Sequence, residues 1–190
     1  MALIALFERQ SAELRETLTD LATFHRQVAE VVRQLEEAFA ADKKVYVAGN
    51  GGSAAQAQHL AEEFTVRYRS ERRAYPVCAL TADGAALTCI GNDLGFERVF
   101  QRQIEALGQE GDVFIGLSTS GNSENILRAA QQARARGMTV VAITGPRGKL
   151  KDMADYAIVA ATESTARMQE VHLHAIHLLC EAFEPGSEIE

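Results

Sequence analysis

The sequence predicts an α/β protein: a doubly wound, five-stranded parallel sheet flanked by helices, preceded by a helical segment suited to oligomer packing. Three observations lead there. From residue 44 onward short apolar runs alternate with helix-length stretches, glycine- or hydroxyl-rich turns follow the first and third runs, and the first 41 residues hold no glycine or proline. Brief apolar runs separated by helices are the pattern of βαβ units, because crossover helices cover both faces of a parallel sheet.

Residues 1–41 place Leu3, Leu6, Phe7, Leu14, Leu18, Leu21, Phe24, Val28, Val31, Leu35 and Phe39 at spacings of mostly three and four, which predicts one or two amphipathic helices. That stripe is broad for a segment outside the α/β region, so it is expected to pack against a second subunit as well as its own core. The five strands are KVYVAG (44–49), AYPVCAL (74–80), DVFIGLS (112–118), MTVVAIT (138–144) and DYAIVA (155–160). Ser53 is expected to cap the helix AAQAQHLAEEFTVRYR, and Asn122 or Ser123 the helix ENILRAAQQARARG, which stops at Gly137. A last helix runs over 165–183 until Pro185 and Gly186 end it, leaving SEIE as a mobile acidic tail. The expected organisation is one domain over 1–190, with a helical segment 1–41, an α/β core 42–184 and a tail 185–190.

Composition narrows the function classes. With 190 residues, 47% hydrophobic and 24% charged, the chain has material for a packed core, which excludes wholesale disorder. Its net charge of −7 argues against a nucleic-acid partner. No run approaches the roughly 20 apolar residues of a membrane span, and MALIALFERQ is too short for a secretory leader. Cys78, Cys89 and Cys180 are odd in number and scattered, which suits reduced thiols acting as small core hydrophobes in a cytoplasmic protein.

Two loops and two helices carry the chemistry. In AGNGGSAAQAQH, Ala48–His59, the glycines Gly49, Gly51 and Gly52 permit close backbone approach and Ser53 opens a helix, as an anion cradle requires. Neither the dinucleotide fingerprint nor the P-loop pattern is met. After the third strand, Ser118, Thr119, Ser120 and Ser123 supply four hydroxyls where a cap uses one or two, with no Lys or Arg among them. Neutral donors at helix N-termini suit the phosphate monoester of a sugar better than a triphosphate with magnesium. His59 and Glu63, four residues apart, project from one helical face at a spacing suited to metal ligation or acid/base work, with Glu62 as the adjacent alternative and a solvated pair as the plain reading. The last helix gathers Gln169, Glu170, His172, His174 and His177, with Met168, Val171, Ala175, Leu178 and Ala182 marking its core side. Glu170, His174 and His177 share one stripe, Gln169 and His177 can also converge, and a solvent-facing polar edge remains the alternative.

Taken together, GNGGS, AQHLAEE, GND at 91–93, STSGNS and MQEVHLHAIH resemble the phosphoheptose isomerase family of sugar isomerase (SIS) domains over nearly the whole chain. The resemblance implies the SIS fold and isomerisation of D-sedoheptulose 7-phosphate to D-glycero-D-manno-heptose 7-phosphate, the first step toward nucleotide-activated heptose for lipopolysaccharide and other glycans. It implies substrate contacts at Asn50, Gly51, Gly52, Ser53, Glu63, Asn92, Asp93, Ser118, Thr119, Ser120, Ser123 and Gln169, and one zinc per subunit on His59, Glu63, Gln169 and His177. The family, not periodicity, selects Glu63 over Glu62 and Gln169 over Glu170. Family members are homotetramers with active sites between subunits, which would also employ the apolar N-terminal helices. One departure is TGPRGKLKD, Thr144–Asp152, where relatives often carry a Gly-Gly pair. Moving a proton from C1 to C2 through an enediol needs a base and an acid, for which Glu63 and His177 are the implied pair. The alternative is a non-catalytic SIS adaptor that binds the replication initiator protein; the adaptor relative lacks the glutamate that stands here as Glu63.

Overall fold

The computed structural model describes residues 2–186. Two helices lead, α1 (Ala2–Thr17) and α2 (Ala22–Ala40), and the α/β region follows as β1 (Val45–Gly49), α3 (Gly52–Thr65), β2 (Val77–Ala79), α4 (Gly84–Asp93), a 3₁₀ turn at Phe96–Arg98, α5 (Gln101–Leu107), β3 (Val113–Ser118), α6 (Glu124–Ala135), β4 (Thr139–Thr144), α7 (Lys149–Met153), β5 (Tyr156–Val159) and α8 (Thr165–Ala182). All five expected strands form and pair in parallel in the order β2-β1-β3-β4-β5. Val45 lies beside Val77 on one side and Val113 on the other.

Strand alternation divides the core into two layers. Val45, Val47, Val113, Ile115, Leu117 and Ile143 face α2, α3 and α8, where Phe24, Val31, Leu35, Phe64, Ile176 and Leu179 cover them. Tyr46, Ala48, Phe114, Val140 and Ala142 face the opposite layer, covered by Phe100, Ile104, Ile126, Ala130 and Leu150. With both faces covered, β1 and β3 are buried at every position, and this is why they read as unbroken apolar runs. β2 is shorter than the seven-residue run AYPVCAL, because Pro76 lacks a backbone N–H and the strand sits at the sheet edge.

The expected apolar stripe of the N-terminal segment divides between its two helices. α2 buries Phe24, Val28, Val31, Val32, Leu35, Ala38 and Phe39. α1 buries none of its residues, and Leu3, Ile4, Leu6 and Phe7 stay exposed. Arg167 of α8, itself buried, ties α1 down by donating to the Gln10 carbonyl.

Four local expectations are corrected. The helix start after β1 is capped by backbone geometry: Gly51 occupies the N-cap position at φ +55°, a left-handed conformation suited to glycine, while Ser53 is buried inside the first turn. α3 ends at Thr65, short of the expected Arg69, because Phe64 and Glu63 give their carbonyls to Tyr75 and Arg72 as the chain turns back toward β2. Of the three thiols only Cys180 is a core residue, and burial pushes it up to about 12, with Glu63 adding to the rise; Cys78 and Cys89 are exposed. The polar residues of α8 do not form one solvent-facing edge, because His172 is fully buried and His174 stacks on Phe24. The expected tail SEIE, residues 187–190, lies outside the described residues.

Burial lowers His172 from 6.5 to about 4, opposed by the nearby Thr144 backbone, which does not reach hydrogen-bond geometry with either ring nitrogen. The ring is therefore neutral in the fold and binds its proton more readily once unfolded, so its contribution is complete above pH 6.5 and is lost as pH falls toward about 4. The difference corresponds to about 3 kcal/mol. Urea unfolding at pH 7 and pH 4 should show the native protein losing about that much more stability than a His172→Leu variant.

Candidate active site

In a parallel sheet of this order the connections leaving β1 and β3 run in opposite directions, and ligands bind beyond the carboxyl ends of these two strands. Both candidate loops stand there. Asn50 and Gly51 link β1 to α3, which Gly52 opens, and Thr119–Ser123 link β3 to α6. A reciprocal amide pair joins them: Asn50 Nδ2 donates to Asn125 Oδ1 and Asn125 Nδ2 to Asn50 Oδ1, each at 2.9 Å. Asn125 is 3% exposed and Asn50 partly so, and the pair braces the two loops against each other.

The second loop presents a hydroxyl cluster. Ser118 Oγ lies 3.3 Å from Ser123 Oγ and 3.5 Å from Ser120 Oγ, and accepts from the Gly121 N–H. Ser123 occupies the N-cap position of α6, yet its hydroxyl makes no cap bond and turns to Ser118. The first-turn amides of α6 are thus left with the partial positive charge of a helix N-terminus, beside hydroxyls that can donate. A cavity of about 290 Å³ opens against this loop, lined in part by Thr119, Ser120, Arg147 and Glu163, the last two forming an exposed ion pair. Pro146 and Arg147 of the 144–152 segment therefore wall the same cavity. A larger cavity of about 560 Å³ lies around Arg72, Tyr75 and Phe183, and none of the hydroxyl-loop residues lines it.

Helices α3 and α8 pack side by side and bring the titratable groups together. His59 Nε2 lies 3.5 Å from Glu63 Oε1 on its own helix and 3.2 Å from His177 Nε2 on α8. The His59 and His177 rings meet edge to face, and Tyr68 lies against His177. Glu63 is 14% exposed at its side chain, His59 37%. Gln169 sits toward the start of α8 with its amide against the first loop: a Cβ on Gly52 would stand 2.5 Å from Gln169 Nε2, and the Gln169 carbonyl accepts from Gln56. Glycine at 52 is thus what admits the glutamine.

The donor set suits a divalent ion. His59, Glu62 and Glu63 offer ligand atoms within 4.8 Å of one another. Donors about 2.0–2.1 Å from a tetrahedral ion stand about 3.3–3.4 Å apart, which matches the 3.2 Å and 3.5 Å separations of His59 from His177 and Glu63. Glu62 is exposed, whereas Glu63 is half-buried and faces His59.

Other expected site residues stand apart. Asn92 and Asp93 are exposed at the end of α4, where Asn92 donates to Asp93 and Cys89 donates to Asp93, and no hydrogen bond among the described residues ties them to the loops or the histidines. Glu170 pairs with Arg167 and not with His177. Asn125 was not among the expected residues; the signal for it is slight, an asparagine in the first turn of α6 directly before the apolar Ile126 and Leu127. An Asn125→Ala variant, which strands the Asn50 amide, should lose about 1–3 kcal/mol of stability by urea denaturation. Gly52→Ala should fold normally by circular dichroism yet bind sugar phosphate at least about tenfold more weakly by calorimetry, since the new methyl displaces Gln169.

Comparison with known proteins identifies the fold and the family. Residues 9–145 match the SIS domain family. The chain is 47% identical over 175 residues to the phosphoheptose isomerase of Nitratiruptor sp., covering 92% of this chain and 88% of that protein. It is 44% identical over 177 residues to that of Sulfurimonas denitrificans, covering 93% and 91%. Among solved structures, the phosphoheptose isomerase of Neisseria gonorrhoeae superposes with a TM-score of 0.85 at 38% identity, covering 95% of this chain and 96% of that one. The enzyme of Francisella tularensis gives 0.86 at 34% identity, with 95% of each covered. With that identity over nearly the whole of both chains, the chain belongs to the phosphoheptose isomerase family of SIS-domain proteins.

Proposed function

We propose that the protein converts D-sedoheptulose 7-phosphate to D-glycero-D-manno-heptose 7-phosphate. The observation that carries this reading is the meeting of Glu63, His59 and His177 from two helices, on the same sheet that presents the hydroxyl loop. Ser118, Thr119, Ser120 and Ser123, with the N-terminal amides of α6, hold the phosphate; Asn50, Gly51, Gly52, Ser53 and Gln169 contact the sugar from the β1 side, and Asn92 and Asp93 complete the set. The adaptor reading gains no support, since Glu63 is present and the relatives above carry isomerase names.

Glu63 takes the proton from C1 of the ketose while His177 protonates the carbonyl oxygen at C2, giving an enediol. Return of the proton to C2, with loss of the O1 proton, gives the aldose. Each such group contributes about 10²–10⁴-fold. His59, Glu63, Gln169 and His177 would hold one zinc ion per subunit, and that ion, when bound, polarises the oxygens on C1 and C2. The exposed Leu3, Ile4 and Phe7 of α1 support a homotetramer, the assembly in which sites between subunits would form. The free thiols support a cytoplasmic location. Among the described residues no helix is long and apolar enough to cross a membrane.

Glu63→Gln and His177→Gln should each cut kcat for sedoheptulose 7-phosphate by at least about 10²-fold while gel filtration shows an unchanged assembly. Full activity in either variant removes that residue from the mechanism. Treatment with a chelator should lower turnover, and added zinc should restore it.

A further inference from the structure

We propose that Arg72 and Glu184 form a clamp that fixes where Glu63 stands relative to His177, which makes Arg72 a positioning residue for the proton transfer; the inference rests on the isomerase reading above. Arg72 lies in the connection between α3 and β2. Its Nη2 donates to the Glu63 carbonyl at 2.8 Å and its Nη1 to the carbonyls of Phe64 at 3.1 Å and Arg73 at 3.0 Å. Its Nε donates to Glu184 Oε1 at 3.3 Å. Glu184 follows directly on the end of α8 and also accepts from Ser70 N and Oγ through Oε2, at 2.9 Å and 2.6 Å.

One guanidinium therefore holds the last turn of the helix that carries His59 and Glu63 to the end of the helix that carries His177. The Glu63 and Phe64 carbonyls are among the last four of α3, which have no partner within a helix. The pair is enclosed, with side chains 3% and 9% exposed, and Arg72 packs over the rings of Tyr75 and Phe64 at 4.9 Å and 5.7 Å. A planar fork with five donors can bind these three carbonyls and a carboxylate in fixed directions, whereas a lysine ammonium can keep the charge but not the geometry. The neighbouring tie between Arg69 and Glu181 is exposed, at 66% and 41%, and does not reach α3.

The test is the kinetics of Arg72→Lys with sedoheptulose 7-phosphate at saturating zinc, alongside thermal unfolding by circular dichroism. A displacement of about 1 Å in a reacting group can cost about 10²-fold, so the folded variant should lose kcat on that scale while KM stays within about threefold. Arg69→Ala should leave both constants within about twofold. Should Arg72→Lys fail to fold, Glu184→Gln, which keeps an acceptor of the same shape, should show the same loss of kcat at constant KM. Wild-type kcat in whichever variant folds, or a loss of activity that merely tracks the unfolded fraction, overturns the clamp. Absence of turnover by the unsubstituted protein refutes the isomerase reading itself and removes the clamp's purpose with it.

Discussion

Packing of α3 against α8 is the contact on which the site depends. The two helices are far apart in sequence and lie on the same face of the sheet, sealed by Leu60, Phe64, Ala175, Ile176 and Leu179. Hydrophobic burial brings their axes together without regard to which polar side chains meet. The polar consequence follows from phase: His59 and Glu63, one turn apart, face the neighbour at the same level as His177. Rotation of either helix by one residue, about 100°, would break the group.

The sheet supplies the second half of the site by topology. Because β1 sits inside the order β2-β1-β3, the loops after β1 and β3 open side by side, and the helices that follow them point their amino ends into the same space. Glycine lets the first loop accept the Gln169 amide, and the Asn50–Asn125 pair braces the two loops. On the proposed function, phosphate capture and proton transfer fall to different elements of one frame. The hydroxyl loop offers neutral donors at a helix terminus; the helix pair offers titratable groups, with His59 standing 3.2 Å from His177 and 3.5 Å from Glu63.

Much of the fold could be read from the chain because apolar periodicity is a local property. The runs that became β1, β3 and β4 are short and bounded by turns, and the spacing of Phe24, Val28, Val31 and Leu35 marks the buried face of α2 directly. What escaped reading depends on partners distant in sequence. The end of α3 is set by Arg72 and Tyr75 returning to its carbonyls, so propensity within TVRYR says little about it. On α8, His172, His174 and His177 look alike in the sequence, yet one is enclosed in the core, one stacks on Phe24 and one meets His59. The Asn50–Asn125 brace spans 75 residues and leaves no trace in either local pattern.

The central claim is that a carboxylate and an imidazole from adjacent helices move one proton between neighbouring carbons of a phosphate-anchored sugar. Incubation with sedoheptulose 7-phosphate and zinc in deuterated water, followed by NMR, addresses it most directly. The account predicts an aldoheptose 7-phosphate that carries deuterium at C2, because a base that takes the C1 proton can exchange it with solvent before returning it. Failure to form any aldose with zinc supplied would contradict it.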